Sequence, residues 1–190
     1  DVTLPAFPTA RGTGSTAALT FNGGILRPLA ASTAYMGSLT QALIKAGGAT
    51  FDTSNGSITI SQALLTDSVS TGGGLNKNGA NTLTLTGIST YTGNTTVNAG
   101  TLVLADNAKL KFVLGTASGS NNKITGAGTV TLNGDFVIDT SAADGLASGS
   151  WTLENVTSLT GAYGSTFTVV GFTDAGNNKW TKVNGSKIYT

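Results

Sequence analysis

The residues that enzymes most often use for proton transfer and nucleophilic attack are scarce in this chain. Its 190 residues include no histidine and no cysteine, and only nine are aspartate or glutamate. The lack of histidine removes the usual general base and the commonest metal ligand, and the lack of cysteine removes thiol chemistry and disulfide bonds. A catalytic site would need clustered carboxylates, assisted by lysine or arginine.

Asp135 and Asp139 form the closest acidic pair within a stretch of strand character. On a continuous strand, two residues four positions apart share one face at a separation of roughly 13 Å. Most glycosidases hold their two carboxyl groups closer together than this. We therefore interpret both aspartates as turn or solvent-facing residues, and we predict that the chain is not an enzyme.

Metal and cofactor motifs are not supported by the glycine-rich segments. The run at 72–74 lacks the aspartate that follows it in calcium-binding nonapeptide repeats, and it lacks the Lys-Ser or Lys-Thr of a phosphate-binding loop. This run is interpreted as a corner between strands. We predict no metal and no cofactor.

Aromatic side chains are the remaining candidates for a ligand site. They can form a platform that stacks on carbohydrate, or they can cap the end of an elongated core, and the cap is favoured because the tryptophans lie in the last third of the chain. The residues concerned are Tyr91, Trp151, Tyr163, Trp180 and Tyr189.

The elements that position these residues are short strands. Charged residues make up only 10% of the chain and the net charge is +1, while threonine, valine and isoleucine alternate with glycine and asparagine turns, a pattern typical of an all-β fold. The stretch 34–46 has some helical spacing, but we favour strand for it. No basic stripe indicates nucleic-acid binding, and no apolar run reaches the length of a membrane span.

Degenerate units of strand and turn recur along the chain, for example TFNGGIL, TFDTSNGSITI and ITGAGTVTLNGDFVI. Each has an apolar-Thr-apolar centre followed by a glycine turn. One such unit cannot bury its apolar side alone, so the repeats predict stacked coils of a parallel β-solenoid. An antiparallel β-sandwich is the alternative.

The segment LTLTGISTYTGNTTVNAGTLVL and its lead-in GGGLNKNGANTLTL carry a specific resemblance. From Leu75 to Leu104 they resemble the autotransporter-associated β-strand repeat, also called the passenger-associated transport repeat. The resemblance implies a right-handed parallel β-helix that is exported and lies at the cell surface or outside the cell. It implies no chemistry.

Within this repeat, side-chain orientation is predicted by alternation. The aliphatic residues expected to point inward are Leu83, Leu85, Val97, Leu102 and Leu104. The threonines expected to point outward or to form hydroxyl ladders are Thr84, Thr86, Thr95 and Thr101. Corners with positive φ are expected at Gly87, Gly93 and Gly100, and Asn94 and Asn98 are expected at corners or in stacked amide ladders.

The chain divides into an extended N-terminal arm at 1–16, solenoid coils at 17–145 with the repeat at 75–104, and C-terminal strands or a cap at 146–190. The arm could add a strand to a neighbouring copy, because solenoid ends expose unpaired strand edges, or it could fold back as an N-terminal cap. The residues expected to mediate self-assembly are Val2, Leu4, Pro5, Phe7 and Pro8.

The sequence therefore predicts a non-catalytic structural protein of the cell surface or extracellular matrix, a stiff solenoid that assembles head-to-tail into a filament as a homo-oligomer. The alternative is an adhesin or glycan-binding module that contacts surface glycans through the aromatic residues. No nucleic-acid partner is expected.

Overall fold

The computed structural model of the chain describes residues 1–7, 12–161, 163–177 and 179–190, and these ranges contain strands and turns with no helix. Consequently, no described residue belongs to a helix long and apolar enough to span a membrane. The strands, in chain order, are β1 (Val2–Leu4), β2 (Ala18–Phe21), β3 (Ile25–Pro28), β4 (Ser32–Met36), β5 (Gln41–Ile44), β6 (Ala49–Asp52), β7 (Ile58–Ile60), β8 (Leu64–Thr66), β9 (Leu75–Asn78), β10 (Thr82–Leu85), β11 (Ile88–Ser89), β12 (Thr95–Val97), β13 (Thr101–Leu104), β14 (Lys109–Val113), β15 (Ile124–Leu132), β16 (Asp135–Asp139), β17 (Glu154–Leu159), β18 (Val169–Val170), β19 (Thr173–Asp174), β20 (Trp180–Asn184) and β21 (Lys187–Tyr189).

These strands wind into a parallel β-solenoid of about six turns, with three faces around one core. The first face contains β1, β3, β6, β9 and β12, and the second face contains β4, β7, β10 and β13. The long strands β15 and β17 pass from the first face to the second, which joins both into one 11-stranded sheet. The third face is formed by β2, β5 and β8, followed by β11, β14, β16 and β18.

Every pairing between successive coils is parallel, which confirms the solenoid and rules out the antiparallel sandwich. Among the described residues, antiparallel pairing is confined to the small sheet β19–β20–β21 and to one bridge between Leu114 and Asn121. The stretch 34–46 contains β4 and β5, as the strand interpretation predicted.

The core is a set of inward columns in which like side chains stack from coil to coil. Leu83 pairs with Ile58 on one side and with Leu102 on the other, and Leu102 pairs with Val130. All four are buried, as are the other inward aliphatic residues predicted in the repeat. Because parallel rungs repeat at about 4.8 Å, each aliphatic side chain meets its counterpart in van der Waals contact.

Thr95 is an exception to the predicted orientation. It was expected to face outward, but it is buried, and its Oγ1 lies 2.6 Å from the hydroxyl of Tyr91. The alternation itself is intact, because Val97, two residues on, is also inward. The prediction was wrong because a hydroxyl can enter a core when another buried hydroxyl supplies its hydrogen bond.

The glycine corners were only partly predicted. Gly100 has a φ of +66°, as expected, but Gly87 and Gly93 do not have positive φ. At Gly93 an added Cβ would lie 2.4 Å from the carbonyl carbon of Gly73 and from the nitrogen of Gly74. These two glycines are therefore required by the close approach of the neighbouring coil rather than by backbone conformation.

Parallel pairing extends towards both ends of the chain. Within the segment 1–16, β1 pairs in parallel with β3 of the first face. At the other end, β17 and β18 continue the parallel pairing beyond residue 145. The C-terminal antiparallel sheet begins only at Thr173.

Replacing Gly93 by alanine tests the close approach of the coils. We expect Gly93→Ala to lower the free energy of unfolding by about 3 kcal/mol, because the new Cβ overlaps backbone atoms that cannot move independently. The control is Gly145→Ala, where an added Cβ meets nothing within 4 Å. Urea unfolding followed by circular dichroism gives both values, and equal values for the two variants would contradict the packing argument.

Candidate functional site

Four of the five aromatic residues selected from the sequence gather at the C-terminal end of the solenoid. Trp151, Tyr163, Trp180 and Tyr189 line two clefts between the last coils and the antiparallel sheet. Tyr91 does not belong to this group: it is fully buried in the core, where it bonds Thr95 and where burial raises the pKa of its phenol. Tyr91 is thus neither a glycan-contacting nor a capping residue.

A line of aromatic rings connects the core to this end. Phe112 and Phe136 lie on adjacent third-face strands with centroids 4.6 Å apart, and Phe136 contacts Phe167 at 5.1 Å. Phe167 in turn contacts Tyr163 at 4.7 Å and Trp180 at 6.0 Å. These tilted and edge-to-face contacts lead from the core to its C-terminal end, where the sequence favoured a cap.

The first cleft has a volume of about 550 Å³ and combines aromatic and acidic side chains. Its lining includes Tyr163, Trp180, Glu154, Asp174 and Asn177. Each carboxylate accepts one backbone hydrogen bond, Glu154 from Val156 at 2.7 Å and Asp174 from Gly176 at 2.8 Å. These bonds fix the carboxylates in place, and each group retains oxygen lone pairs that can accept hydrogen bonds from a polyhydroxylated ligand.

The second cleft has a volume of about 560 Å³, and three of its polar side chains form hydrogen bonds within the protein. The Trp151 indole Nε1 donates to the Ala117 carbonyl at 3.1 Å, and the Lys187 Nζ donates to the Leu146 carbonyl at 2.6 Å. The Tyr189 hydroxyl donates to Asp144, and this bond raises the pKa of the phenol. The arrangement fastens the C-terminal hairpin to the loop at 140–151, which makes this cleft a structural joint.

The N-terminal arm folds onto its own chain. Leu4 and Phe7 pack against the core, the Phe7 ring meets Tyr35 edge-on at 6.0 Å, and the Phe7 amide donates to the Tyr35 carbonyl at 2.8 Å. In the described residues the arm thus lies against its own first coil, and the outer edge of β1 has no strand beside it. Val2 is 54% exposed at the outer edge of β1, while Pro5 is exposed and Pro8 lies outside the described residues.

The acidic pair considered for catalysis lies on the outer side of the third face. Both carboxylates have lysine partners on the adjacent strand: Asp135 lies 3.7 Å from Lys109, and Asp139 lies 3.0 Å from Lys111. Hydrogen bonds from Ser141, with help from Lys111, lower the pKa of Asp139 to about 2. Among the described residues, no group of three acidic side chains is placed to hold a metal ion.

Lys77 is a feature that the sequence reasoning missed. It lies inward on β9 between Phe51 and Val97 and is fully buried. Its ammonium donates to the carbonyls of Asn78, Gly79 and Ala99 at 2.7 to 2.9 Å. The alternating pattern of the Leu-Asn-Lys-Asn segment was the available signal, because it places Lys77 on the same side as Leu75.

The environment of Lys77 disfavours its charge. Burial lowers the pKa of Lys77 to about 8, and the negative charge of Asp52 acts in the opposite direction. The three carbonyl bonds satisfy every donor of the ammonium, so the group closes the corner between two coils. Its role in the described structure is to hold that corner.

The buried ammonium predicts a specific pH dependence. The folded chain holds the Lys77 pKa at about 8, below its ordinary value of 10.5, so the unfolded state binds more protons between these two values. The contribution of Lys77 to stability therefore rises as the pH increases from 8 towards 10.5. Tyr35, whose pKa burial raises to about 12, makes an opposite contribution above pH 10.

Urea unfolding at pH 7 and pH 9.5 measures this dependence. We expect Lys77→Met to lose the gain in stability that the parent chain shows between these conditions. The exposed Lys179 supplies the control, because Lys179→Met is expected to retain the gain. A parent chain whose stability does not rise relative to Lys77→Met would show that the ammonium is not destabilised by burial.

Comparison with known proteins identifies one segment of the chain. The family model described as Passenger-associated-transport-repeat matches residues 75–104, and no curated protein and no solved structure matches the chain. The match runs from the first residue of β9 to the last residue of β13, so it contains one complete coil and two strands of the next. It confirms the resemblance stated from the sequence. Residues 75–104 thus match the passenger-associated transport repeat and lie within a parallel β-solenoid.

Proposed function

We propose that this chain is a rigid, non-catalytic solenoid section of a passenger-like protein that is secreted or displayed at the cell surface. The observation that carries the proposal is the passenger-associated transport repeat set in register within the stack of parallel coils. Backbone ladders on three faces and a continuous aliphatic core make such a section stiff. In this role the ion-paired aspartates Asp135 and Asp139 serve the surface of the third face rather than a reaction.

Surface labelling tests this location and role. Antibodies raised against the purified chain are expected to bind intact, unpermeabilised cells that produce it, or to detect it in their medium. A cytoplasmic protein labelled in parallel controls for lysis. Detection only after permeabilisation would overturn the location. A variant carrying both Asp135→Asn and Asp139→Asn tests the two carboxylates. We expect it to reach the surface at the level of the parent chain, because neither carboxylate serves a reaction needed for display.

Assembly of copies into a head-to-tail filament is the further part of this proposal. Support comes from the strand edges at the two ends: β1 pairs with β3 on one side, and β17 pairs with β15. In the described part of the chain neither strand has a second neighbour, and unpaired parallel edges are templates for another chain. Val2, exposed on β1, is placed to contact a second copy.

A charge at Val2 is expected to prevent such pairing. Val2→Lys places an ammonium at the β1 edge without disturbing the core, and charged edge residues oppose edge-to-edge association. Val69→Lys is the matched control, because Val69 is 92% exposed on a loop. Negative-stain microscopy and sedimentation should show polymers for the parent chain and for Val69→Lys but not for Val2→Lys. A monomeric parent chain would overturn the filament.

Glycan binding is the second candidate, and the first C-terminal cleft favours it. Tyr163 is 38% exposed there, beside the fixed carboxylates of Glu154 and Asp174. Carboxylates accept strong hydrogen bonds from hydroxyl groups, while an aromatic ring supplies an apolar surface for a sugar face.

Removing the two charges tests this candidate with little change in shape. We expect the parent chain to bind members of a glycan array, and Glu154→Gln combined with Asp174→Asn to reduce that signal, because an amide oxygen is a weaker acceptor than a carboxylate. Asp106→Asn, which alters an exposed turn, is the control. Absence of any bound glycan would remove adhesion at this cleft as a function.

A further inference from the structure

Threonine is the main residue on the outer surface of the second face. Outward side chains form two columns that run along the solenoid axis, and we call this surface the threonine face. The first column contains Thr82, Thr101, Thr129 and Ser158, and the second contains Thr59, Thr84, Val103 and Thr131. Thr160 extends the second column, because its hydroxyl lies 3.1 Å from that of Thr131.

These columns form a regular two-dimensional grid. The coils pair without a register shift from Thr82 to Thr101 and on to Thr129, so successive residues in a column are separated by one rung, about 4.8 Å. The two columns are separated by two residues along each strand, about 7 Å. Every grid point except Ser158 carries a methyl group, and every grid point except Val103 carries a hydroxyl. The sheet holds these groups in fixed positions relative to one another.

The threonine face carries no charge, in contrast to the other two faces. The outer surface of the first face has the Arg27–Asp52 ion pair, and the third face has Lys109 and Lys111 paired with two aspartates. All three faces have the same parallel backbone, so strand propensity accounts for threonine in general but not for the exclusion of charge from one face only. A neutral binding partner is consistent with this exclusion, because burying an unpaired charge against a neutral surface is costly.

The chemistry of the face distinguishes between neutral partners. Surfaces that bind polysaccharide present aromatic rings to sugar faces, but the described aromatic residues nearest a cleft lie at the C-terminal end, and none lies in either column. Rows of methyl groups order the water next to them, and hydroxyls at regular positions hydrogen-bond that water. A rigid grid of methyl groups and hydroxyls is therefore complementary to a surface that is itself a regular lattice of hydrogen-bonded water molecules.

We propose that the threonine face binds ice. The methyl rows hold the first water layer in place, and the hydroxyls join that layer to the oxygen rows of the crystal, whose spacing is similar to that of the rungs. The rigid backbone ladder fixes the grid before contact, so little conformational entropy is lost on binding. This activity is independent of where the protein is displayed and of whether it polymerises.

Partition into slowly growing ice measures the proposed activity directly. The purified chain is mixed with a globular bystander protein, part of the solution is frozen, and both proteins are quantified in the ice and in the liquid. We expect the chain to be enriched in the ice fraction relative to the bystander. Equal partition of the two proteins would overturn the proposal.

Matched variants assign the binding to the threonine face. Thr84→Lys puts a long charged side chain at the centre of the grid and is expected to reduce partition to that of the bystander. Thr96→Lys makes the same change at an outward threonine of the first face and is expected to bind as the parent does. Loss of binding in both variants, or in neither, would contradict the assignment.

Two further measurements keep the test decisive. Thr84→Ser retains the hydroxyl and removes one methyl group, so it is expected to fold as the parent does and to show reduced partition into ice. Unchanged partition in this variant would overturn the role of the methyl rows. Sedimentation with insoluble cellulose or chitin tests the polysaccharide alternative. Binding there that Thr84→Lys abolishes, without enrichment of the parent chain in ice, would show that the face serves a sugar polymer instead.

Discussion

Parallel backbone pairing between successive coils is the constraint on which the rest of this structure depends. Once one strand pairs in register with the strand above it, each inward position is placed over the inward position of the previous coil. Aliphatic side chains then pack in columns, as Ile58, Leu83, Leu102 and Val130 do. A slip of one residue would turn a whole column outward, so the hydrophobic core and the ladder enforce each other.

The same constraint determines what the corners contain. Coils separated by about 4.8 Å leave no room for a side chain where two loops cross, which explains Gly93 and Gly87 without any need for positive φ. Lys77 lies at a different corner: its stem lies in the core column and its ammonium bonds the carbonyls of Asn78, Gly79 and Ala99. A buried cation is tolerated because every one of its donors has a partner.

Stacking also makes each outer surface a column of repeated residues, and the three faces have become chemically different. Threonine fills the second face, ion pairs occupy the first and third, and aromatic residues close the C-terminal end where the stack of coils stops. The core needs only the inward half of each strand, which leaves the outward half available for contact with the surroundings. Passenger display, assembly and surface binding would thus use separate parts of one solenoid.

The sequence by itself determined the all-β class, the coiled architecture and the inward positions of the repeat, because alternation and turn residues are local properties of the chain. It also identified the segment 75–104, whose pattern is continuous along the chain. Tertiary structure alone decided that Thr95 and Tyr91 pair inside the core, that Lys77 is buried, and that residues 1–7 lie against the first coil. It also decided that threonines from separate coils form one uncharged grid. Each of these four features depends on which residues of different coils become neighbours. Because the coils differ in length, the sequence alone does not determine that register.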